Sequence, residues 1–383
     1  MLLVERHEIK GTSEIISLCQ TSKELYNKCN YYMRQAWFGG NLMPNIQTLV
    51  QLVQAEECFK NLHNTKTAKQ TVRKVLTDWS NFKKALNAWK KDKSKFTRMP
   101  KPPHYKDKLA QVIFYAETVK KKMLKRGIIT PTNECFGIKS SRKFKQVVIT
   151  PKTFGFVVDV QYEQNVPNKV KTQGIACVDV GLNNMMTITS DQHSPILVNG
   201  RIIKSINQWF NKKLNKHNSR KRYWRLENYF HHASKFIIQN CVKHSIGCII
   251  IGKNNGWKQN LNLGKKTNQN FYYIPFWKLL EKIKYKAAMV GIDMVFTEEA
   301  YTSKASFLDH DHIPAYEEGV APPVLSGTRR KGMYRTFRPI HADVNGSLNI
   351  GRKVIGDKVY ETFPDRSIAA MPVRVNPLKV FSV

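Results

Sequence analysis

The sequence predicts a multidomain α+β chain, and three observations predict it. Residues 13 to 95 carry apolar side chains at helical spacing, residues 109 to 172 alternate like strands, and from Gly174 onward strands and helices take turns. With 383 residues, 42% hydrophobic content, 7 Trp, 15 Tyr and 19 Phe, the chain can bury two or three separate cores.

The opening stretch "LLVERHE" reads as a short strand. In "SEIISLCQTSKELYNKCNYYMRQAWF", Ile16, Cys19, Leu25, Cys29, Tyr32 and Met33 recur at three- and four-residue steps and stripe one helix face. "TLVQLVQAEECFKNL" and "AKQTVRKVLTDWSNFKKALNAWKKDKSKF" repeat that period with a basic outer face, so three or four helices are expected here. Tyr31, Tyr32 and Trp37 read first as core residues and second as base-stacking residues. The prolines of "MPKPPHYKDK" (Pro100, Pro102, Pro103) then break helix continuity. The strands "QVIFYAETV", "GIITPT" and "FKQVVITPKTFGFVVDVQYE" follow as a small β module. The N-terminal strand would complete that module and leave the helices as an insertion.

From Gly174 the order is strand (IACVDVG), strand (NMMTITSD), strand (PILVNG), a long helix over about 201 to 244, strand (GCIIIG), a polar loop and a helix through "PFWKLLEKIKYKAAMVG". A strand (IDMVFTEE), an irregular basic insert and a last helix through "DVNGSLNIGRKVIG" complete it. Three antiparallel strands followed by alternating helices and strands is the order of an RNase H-like fold.

Charge narrows the function. Against 63 Lys+Arg stand 28 Asp+Glu, a formal charge of +35 spread from Lys10 to Arg374. Such a surplus repels itself unless a polyanion covers it, which points to nucleic acid. No stretch of about 18 apolar residues and no cleavable N-terminal signal is present. No membrane role is therefore expected, and the expected place is the cytoplasm, on the nucleoid. The seven cysteines (19, 29, 58, 135, 177, 241, 248) show no metal spacing and suit a reducing compartment.

In "GIACVDVGLNNMMTITSDQ" an apolar run ends in one carboxylate, Asp179. A buried, unpaired carboxylate is costly, so Asp179 faces water or has a cation. An RNase H-like fold supplies the cation: carboxylates from a later strand and the last helix converge on the central-strand Asp and hold two divalent ions that clamp a phosphodiester. Mg²⁺ suits such a site, with Mn²⁺ able to substitute, because it binds few carboxylates and keeps positions for water and phosphate oxygens. "RPIHADVNGSLNIGR" places Asp343 before a helix whose apolar residues include Val344, Leu348 and Ile350. Asp at that position also serves often as a simple helix cap.

Taken together, "VDVGLNNMMTIT", "YWRLENYFHHASKFIIQNC", "FWKLLEKIKYKAAMVGIDMVFTEEAYTSKASF" and "HADVNGSLNI" resemble the TnpB family, insertion-sequence-encoded RNA-guided DNA endonucleases related to type V CRISPR effectors. The resemblance covers most of residues 170 to 355; over 1 to 170 it rests on "VERHEIK", "LYNKCNYY" and "MPKPPHYKDK". It implies a β-barrel-like wedge module at 1–10 and 96–172, split by a helical recognition insertion at 11–95. A RuvC-like nuclease of RNase H fold at 173–356 would follow, with a zinc-free insert at about 304–340 and a loose tail at 357–383. The implied partners are a guide RNA and target double-stranded DNA, with one protein copy per RNA. The protein would read a short target-adjacent motif and leave the rest of the sequence to base pairing.

Two departures from the family pattern bear on chemistry. Family members usually carry a Glu at the end of the strand here written "GCIIIGKNNGWK", where this chain has Gly252. The next strand, "IDMVFTEEAYTS", instead ends in Glu298 and Glu299. Side chains alternate along a strand, so one of the two should face the site, Glu299 ahead of Glu298. The second departure is a missing zinc ribbon: "KASFLDHDHIPAYEEGVAPPVLSGTRRKGMYRTFRPIH" has no cysteine, and no zinc is expected. Asp309, His310, Asp311 and His312 could bind a metal, but ligands so closely adjacent on a loop rarely surround one ion well. Phe307, Tyr316 and Tyr334 are expected to pack a metal-free lid, with Arg329, Arg330, Lys331 and Arg335 as phosphate contacts.

No G-x-S-x-G, P-loop or G-x-G-x-x-G appears, and neither His231 nor His232 has an evident role. The expected function is RNA-guided, Mg²⁺-dependent DNA hydrolysis by Asp179, Asp343 and one of Glu298 or Glu299. Gly252 motivates an alternative, a guided DNA-binding repressor that does not cut. A guide-independent, resolvase-like nuclease would share the acids without needing the basic N-terminal helices.

Overall fold

The structure is a computed structural model that describes residues 1–119, 121–130, 137–153, 155–169, 174–212, 215–253, 274–317, 320–326, 328–330, 332–335, 339–359 and 371–381. The chain divides into two compact units, Met1–Gln164 and Asn165–Val383.

In the first unit β1 (Leu2–Ile9) leads into four helices, α1 (Ser13–Phe38), α2 (Ile46–Val53), α3 (Glu57–Lys60) and α4 (Thr65–Lys91). Strand β2 (Val112–Tyr115), a helical turn α5 (Lys121–Leu124), the short strands β3 (Ile128–Ile129) and β4 (Ile138–Lys139), then β5 (Phe144–Lys152) and β6 (Gly155–Glu163) follow. The main sheet has the order β1-β6-β5-β2. Strand β1 pairs with β6 from Leu2↔Glu163 to Ile9↔Phe156. The N-terminal strand therefore completes the β module, with the helices inserted between β1 and β2.

Side-chain oxygens start three of those helices: Thr12, Asn45 and Asn64 accept from the amides of Ile15, Thr48 and Thr67. Helix α1 serves two cores. Ile15 and Cys19 pack with the strand residues Val112, Phe114, Val147 and Val158, whereas Leu25, Cys29 and Met33 pack with Val72, Val75 and Trp79. Trp37 sits edge-on to Phe82 at 5.3 Å between ring centroids, and the buried indole of Trp79 donates to Asn30 Oδ1 at 2.8 Å. Trp37 and Tyr32 are thus half-buried residues packed against the helical core, and Tyr31 stays 45% exposed.

The second unit holds β7 (Gly174–Asp179), β8 (Asn184–Ser190), β9 (Ile196–Asn199), α6 (Arg201–Lys212), α7 (Lys216–Lys243), β10 (Ile246–Gly252), α8 (Phe276–Met289) and β11 (Asp293–Thr297). It continues with β12 (Thr328–Arg330), β13 (Met333–Arg335), β14 (Ile340–His341), α9 (Ala342–Ile355), β15 (Val373–Val375) and α10 (Pro377–Val380). Its large sheet has the order β11-β10-β7-β8-β9-β15. Strands β7, β8 and β9 are antiparallel, and β10 and β11 add in parallel. Two cores cover its faces: one joins Ile249 and Ile251 to Tyr229, Phe230, Ile237, Leu279 and Ile283 of α7 and α8, the other joins Cys177 and Ile250 to Val344, Leu348 and Ile350 of α9.

Three readings change. The long helix expected over 201 to 244 is two, α6 and α7. The expected loose tail supplies a sixth sheet strand, β15, parallel to β9. The irregular insert carries the three-stranded sheet β12-β13-β14. Among the described residues no helix is long and apolar enough to cross a membrane.

Candidate active site

The parallel register pairs Val178 with Ile251, and Gly252 with Thr297. Asp179, Gly252 and Thr297 therefore form a row across the C-terminal ends of β7, β10 and β11. Strand alternation gives Cys177 and Asp179 one face, and Ile250 and Gly252 the same one. This is the face on which α9 lies.

Helix α9 lies very close to the sheet, and its glycines make that possible. A Cβ on Gly351 would fall 2.5 Å from Cys177 Sγ, and one on Gly346 would fall 3.0 Å from Asp179 Oδ2 and 3.7 Å from Ser303 Oγ. Asp343 stands one turn before Gly346 and shares its side of the helix. Its Oδ2 accepts from Asn184 Nδ2 at 2.7 Å, and Asn184, at the start of β8, is itself 7% exposed. Asp343 is not the helix cap. His341 takes that place, its Nδ1 accepting the Asp343 amide at 3.3 Å, so Asp343 is a first-turn residue with its carboxylate directed to Asn184.

Gly252 has no room for a longer side chain. A Cβ there would lie 2.6 Å from Ile350 Cδ1 and 3.0 Å from Glu299 Oε2. The Glu299 carboxylate thus occupies the space in which a side chain at 252 would begin. Glu298 turns elsewhere, with its Oε1 3.4 Å from the Nζ of Lys353, a residue only 9% exposed in its side chain.

The turn after Glu299 is built from α9. The Glu299 carbonyl accepts from the Thr302 hydroxyl at 2.8 Å and from its amide at 3.3 Å. Tyr301 takes a left-handed φ of 63° to close that turn, a conformation that costs a non-glycine residue about 1–2 kcal/mol. Asn349 Nδ2 donates to Thr302 O at 2.9 Å and Ala305 O at 2.8 Å, while Asn345 donates to Ala305 O and accepts the Phe307 amide. Ser347 ties the helix to β7 and β8 through Cys177 O, Thr187 O and Thr189 Oγ1. The polar residues of "DVNGSLNI" thus split between the acid row and the turn that carries Glu299.

Asp309 and Asp311 have structural work. Asp309 accepts from the Ser306 hydroxyl at 2.6 Å, and Asp311 accepts from the Ser306 and Ser326 amides. The Arg352 guanidinium donates to the carbonyls of His310 and Asp311. Phe307 is buried as expected, but Tyr316 is 62% exposed and packs no lid. Strands β12 and β13 form a hairpin turning at Gly332, whose φ is 81°. Lys331 and the side chains of Tyr334, Arg329, Arg330 and Arg335 lie outside the described residues. Cysteine nucleophiles find no support: burial raises the thiols of Cys19, Cys29 and Cys241 to about 12, and that of Cys177 higher still.

Asp179, Glu299 and Asp343 are hard oxygen donors of the kind that hold Mg²⁺. As they stand, no three His, Cys, Asp or Glu side chains among the described residues form a group that could hold a metal ion. The donor chemistry fits a divalent ion, while the side-chain arrangement has Asp343 turned to Asn184. Sequence reasoning missed Asn184, Ser303 and Lys353. A signal for Asn184 was available, since an amide opening an otherwise apolar strand needs a buried partner.

No protein-family model and no curated protein matches the chain. Its fold resembles that of solved structures. The mini RNA-guided endonuclease CRISPR-Cas_phi3 aligns at TM-score 0.51 with 10% identity over 93% of each chain. A Cas12f1–guide RNA–target DNA complex aligns at TM-score 0.35 with 14% identity over 93% of this chain and all of that one. A Cas12f ternary complex aligns at 0.32 with 13% identity over 88% of this chain and 81% of that one.

Proposed function

We propose that the chain is a TnpB-like, RNA-guided DNA endonuclease of a transposable element, whose second unit is a RuvC-type nuclease of RNase H-like fold. The reading rests above all on the Glu299 carboxylate, which stands 3.0 Å from the position a Gly252 side chain would start from. A carboxylate moved to the neighbouring strand end would serve the same ions from a different backbone position.

In this reading Asp179, Glu299 and Asp343 hold Mg²⁺. When bound, such ions polarise the scissile phosphate and make water a nucleophile at neutral pH. The chain's own contribution is positional. The close approach of α9 at Gly346 sets that helix beside Asp179, the Thr302 and Asn349 bonds hold the backbone of the turn that carries Glu299, and Asn184 orients the Asp343 carboxylate. Glu298 is left as the charge partner of Lys353. The formal charge of +35 serves a guide RNA and target DNA. Arg329, Arg330, Lys331 and Arg335 are proposed phosphate contacts, and one copy is proposed to load per RNA.

The second reading, guided binding without cutting, is favoured by one observation: three acids do not stand together as a metal group among the described residues. One experiment separates the readings. The protein is purified with its RNA and incubated with matching duplex DNA and Mg²⁺. Cutting that vanishes in Asp179→Ala supports the nuclease. Tight binding without cutting in Mg²⁺ or Mn²⁺ supports the repressor, and cutting without RNA supports a guide-independent nuclease.

A further inference from the structure

Helix α1 ends in an aromatic stack that the protein's cores do not use. The guanidinium of Arg34 lies 5.1 Å from the ring centre of Phe38 and 5.5 Å from that of Tyr105. Phe38 is 65% exposed and Tyr105 49% exposed, while Tyr31, three residues before Arg34, is 45% exposed. Phe38 and Tyr105 are outside the helical core that takes up the neighbouring Tyr32 and Trp37.

The stack is fixed rather than incidental. Arg34 Nη1 donates to Pro103 O at 2.9 Å, and Asn30 Nδ2 donates to the same carbonyl at 3.1 Å. Asn27 grips the backbone of Lys106 from both sides, donating to its carbonyl at 2.9 Å and accepting its amide at 2.7 Å. Three polar side chains of one helix thus pin the 103–106 segment and hold the Tyr105 ring beside Arg34. Exposed aromatic area normally costs the folded state, and a stacked guanidinium adds a delocalised cation to it. The flanking stretch "KPPHYKDK" brings three lysines against one aspartate, and Lys101 and Lys108 are exposed.

We infer that Phe38, Arg34 and Tyr105 form a platform for an unpaired base of single-stranded DNA. Flat aromatic faces take any base by stacking, and exposed cations beside them hold the adjoining phosphates. The choice of DNA rests on the proposed function: when a guide pairs with one strand of a duplex, the strand left unpaired is DNA.

The test is binding of the full chain to fluorescent oligodeoxyuridylate, to an abasic oligonucleotide of equal length, and to oligouridylate, followed by anisotropy. The wild type is expected to bind oligodeoxyuridylate about 5- to 150-fold more tightly than its abasic counterpart, the range of one stacked base. Phe38→Ala and Tyr105→Ala should each erase most of that gap without lowering the melting temperature, while Phe38→Trp and Tyr105→Trp should keep it. No gap in the wild type, or an unchanged gap in both alanine variants, would overturn the platform. Tighter binding of oligouridylate than of oligodeoxyuridylate would overturn the assignment to DNA. Failure of the nuclease reading shows separately, as stacking that survives in a complex that never cuts.

Discussion

The two ends of the six-stranded sheet treat their ionisable groups in opposite ways. At the end where β7 begins, Asp191 accepts the backbone amide of Ile175 at 2.9 Å and the Ser190 hydroxyl at 3.2 Å. His193 bonds Ser194 O at 2.7 Å through Nδ1 and Asn240 at 2.7 Å through Nε2, and it packs on His244 with ring centres 4.9 Å apart. The polar groups there close the structure. At the other end Asp179 and Glu299 press against glycines, and Asp343 is held by a side-chain amide that a cation could replace. The difference teaches that a carboxylate bonded to backbone staples a fold, whereas the carboxylates at the other end, set against glycines or a side-chain amide, are the ones to which the proposed function gives a ligand.

Breaking the acid end should have the largest effect. Asp179→Ala or Asp343→Ala is expected to cut matched DNA at least ~10³-fold more slowly, with guided binding kept, because under the proposed function each removes a carboxylate that would hold Mg²⁺. Cleavage and binding assays on the same RNA-loaded complex check this.

The next effect is on the scaffold between the ends. Asn349→Ala takes the side-chain amide donor from the Thr302 carbonyl and leaves Ala305 O with that of Asn345, at a cost of about 1–3 kcal/mol, readable as a lower urea midpoint. Gly252→Ala puts a methyl 2.6 Å from Ile350 Cδ1 and 3.0 Å from Glu299 Oε2. It should cost about 1–3 kcal/mol through overpacking and slow cutting besides, by shifting the carboxylate. A stable Gly252→Ala protein that cuts normally would separate Glu299 from the site.

The closed end should answer to pH. Burial, ahead of other causes, lowers the pKa of His193 below its ordinary 6.5. Above 6.5 the group is neutral in both folded and unfolded chains and contributes nothing to the pH dependence. Below 6.5 the unfolded chain takes up the proton first, so stability falls with falling pH by at most about 1.4 kcal/mol per unit. His193→Gln should flatten that slope in urea titrations between pH 7 and 5. The smallest change is expected from Glu298→Ala, which should leave cutting within about twofold, since that carboxylate answers Lys353 and is partly exposed.

Much of this architecture was legible in the chain. The antiparallel strands after Gly174 and the helical period of residues 13 to 91 carry strong periodicity and lie where expected. The tail was misread because Val373–Val375 is too short to show a period and is fixed by the edge of β9. At the acid end, alternation narrows the choice to one of Glu298 and Glu299, but the reason Gly252 stays bare, the approach of Ile350, belongs to packing between elements far apart in sequence. The same holds for Asn184 and Asp343, which meet across 159 positions. The Phe38–Arg34–Tyr105 stack escaped for a related cause: no local pattern ties the end of α1 to the loop after Pro103.

The account turns on Glu299 standing in for an acid at position 252, and one measurement tests it directly. Glu299→Gln and Glu298→Gln, each purified with its RNA, are compared with the wild type for cutting of matched DNA in Mg²⁺ under single-turnover conditions. The account predicts that Glu299→Gln binds its target and leaves it intact while Glu298→Gln cuts at close to the wild-type rate. Wild-type cutting by Glu299→Gln would contradict it.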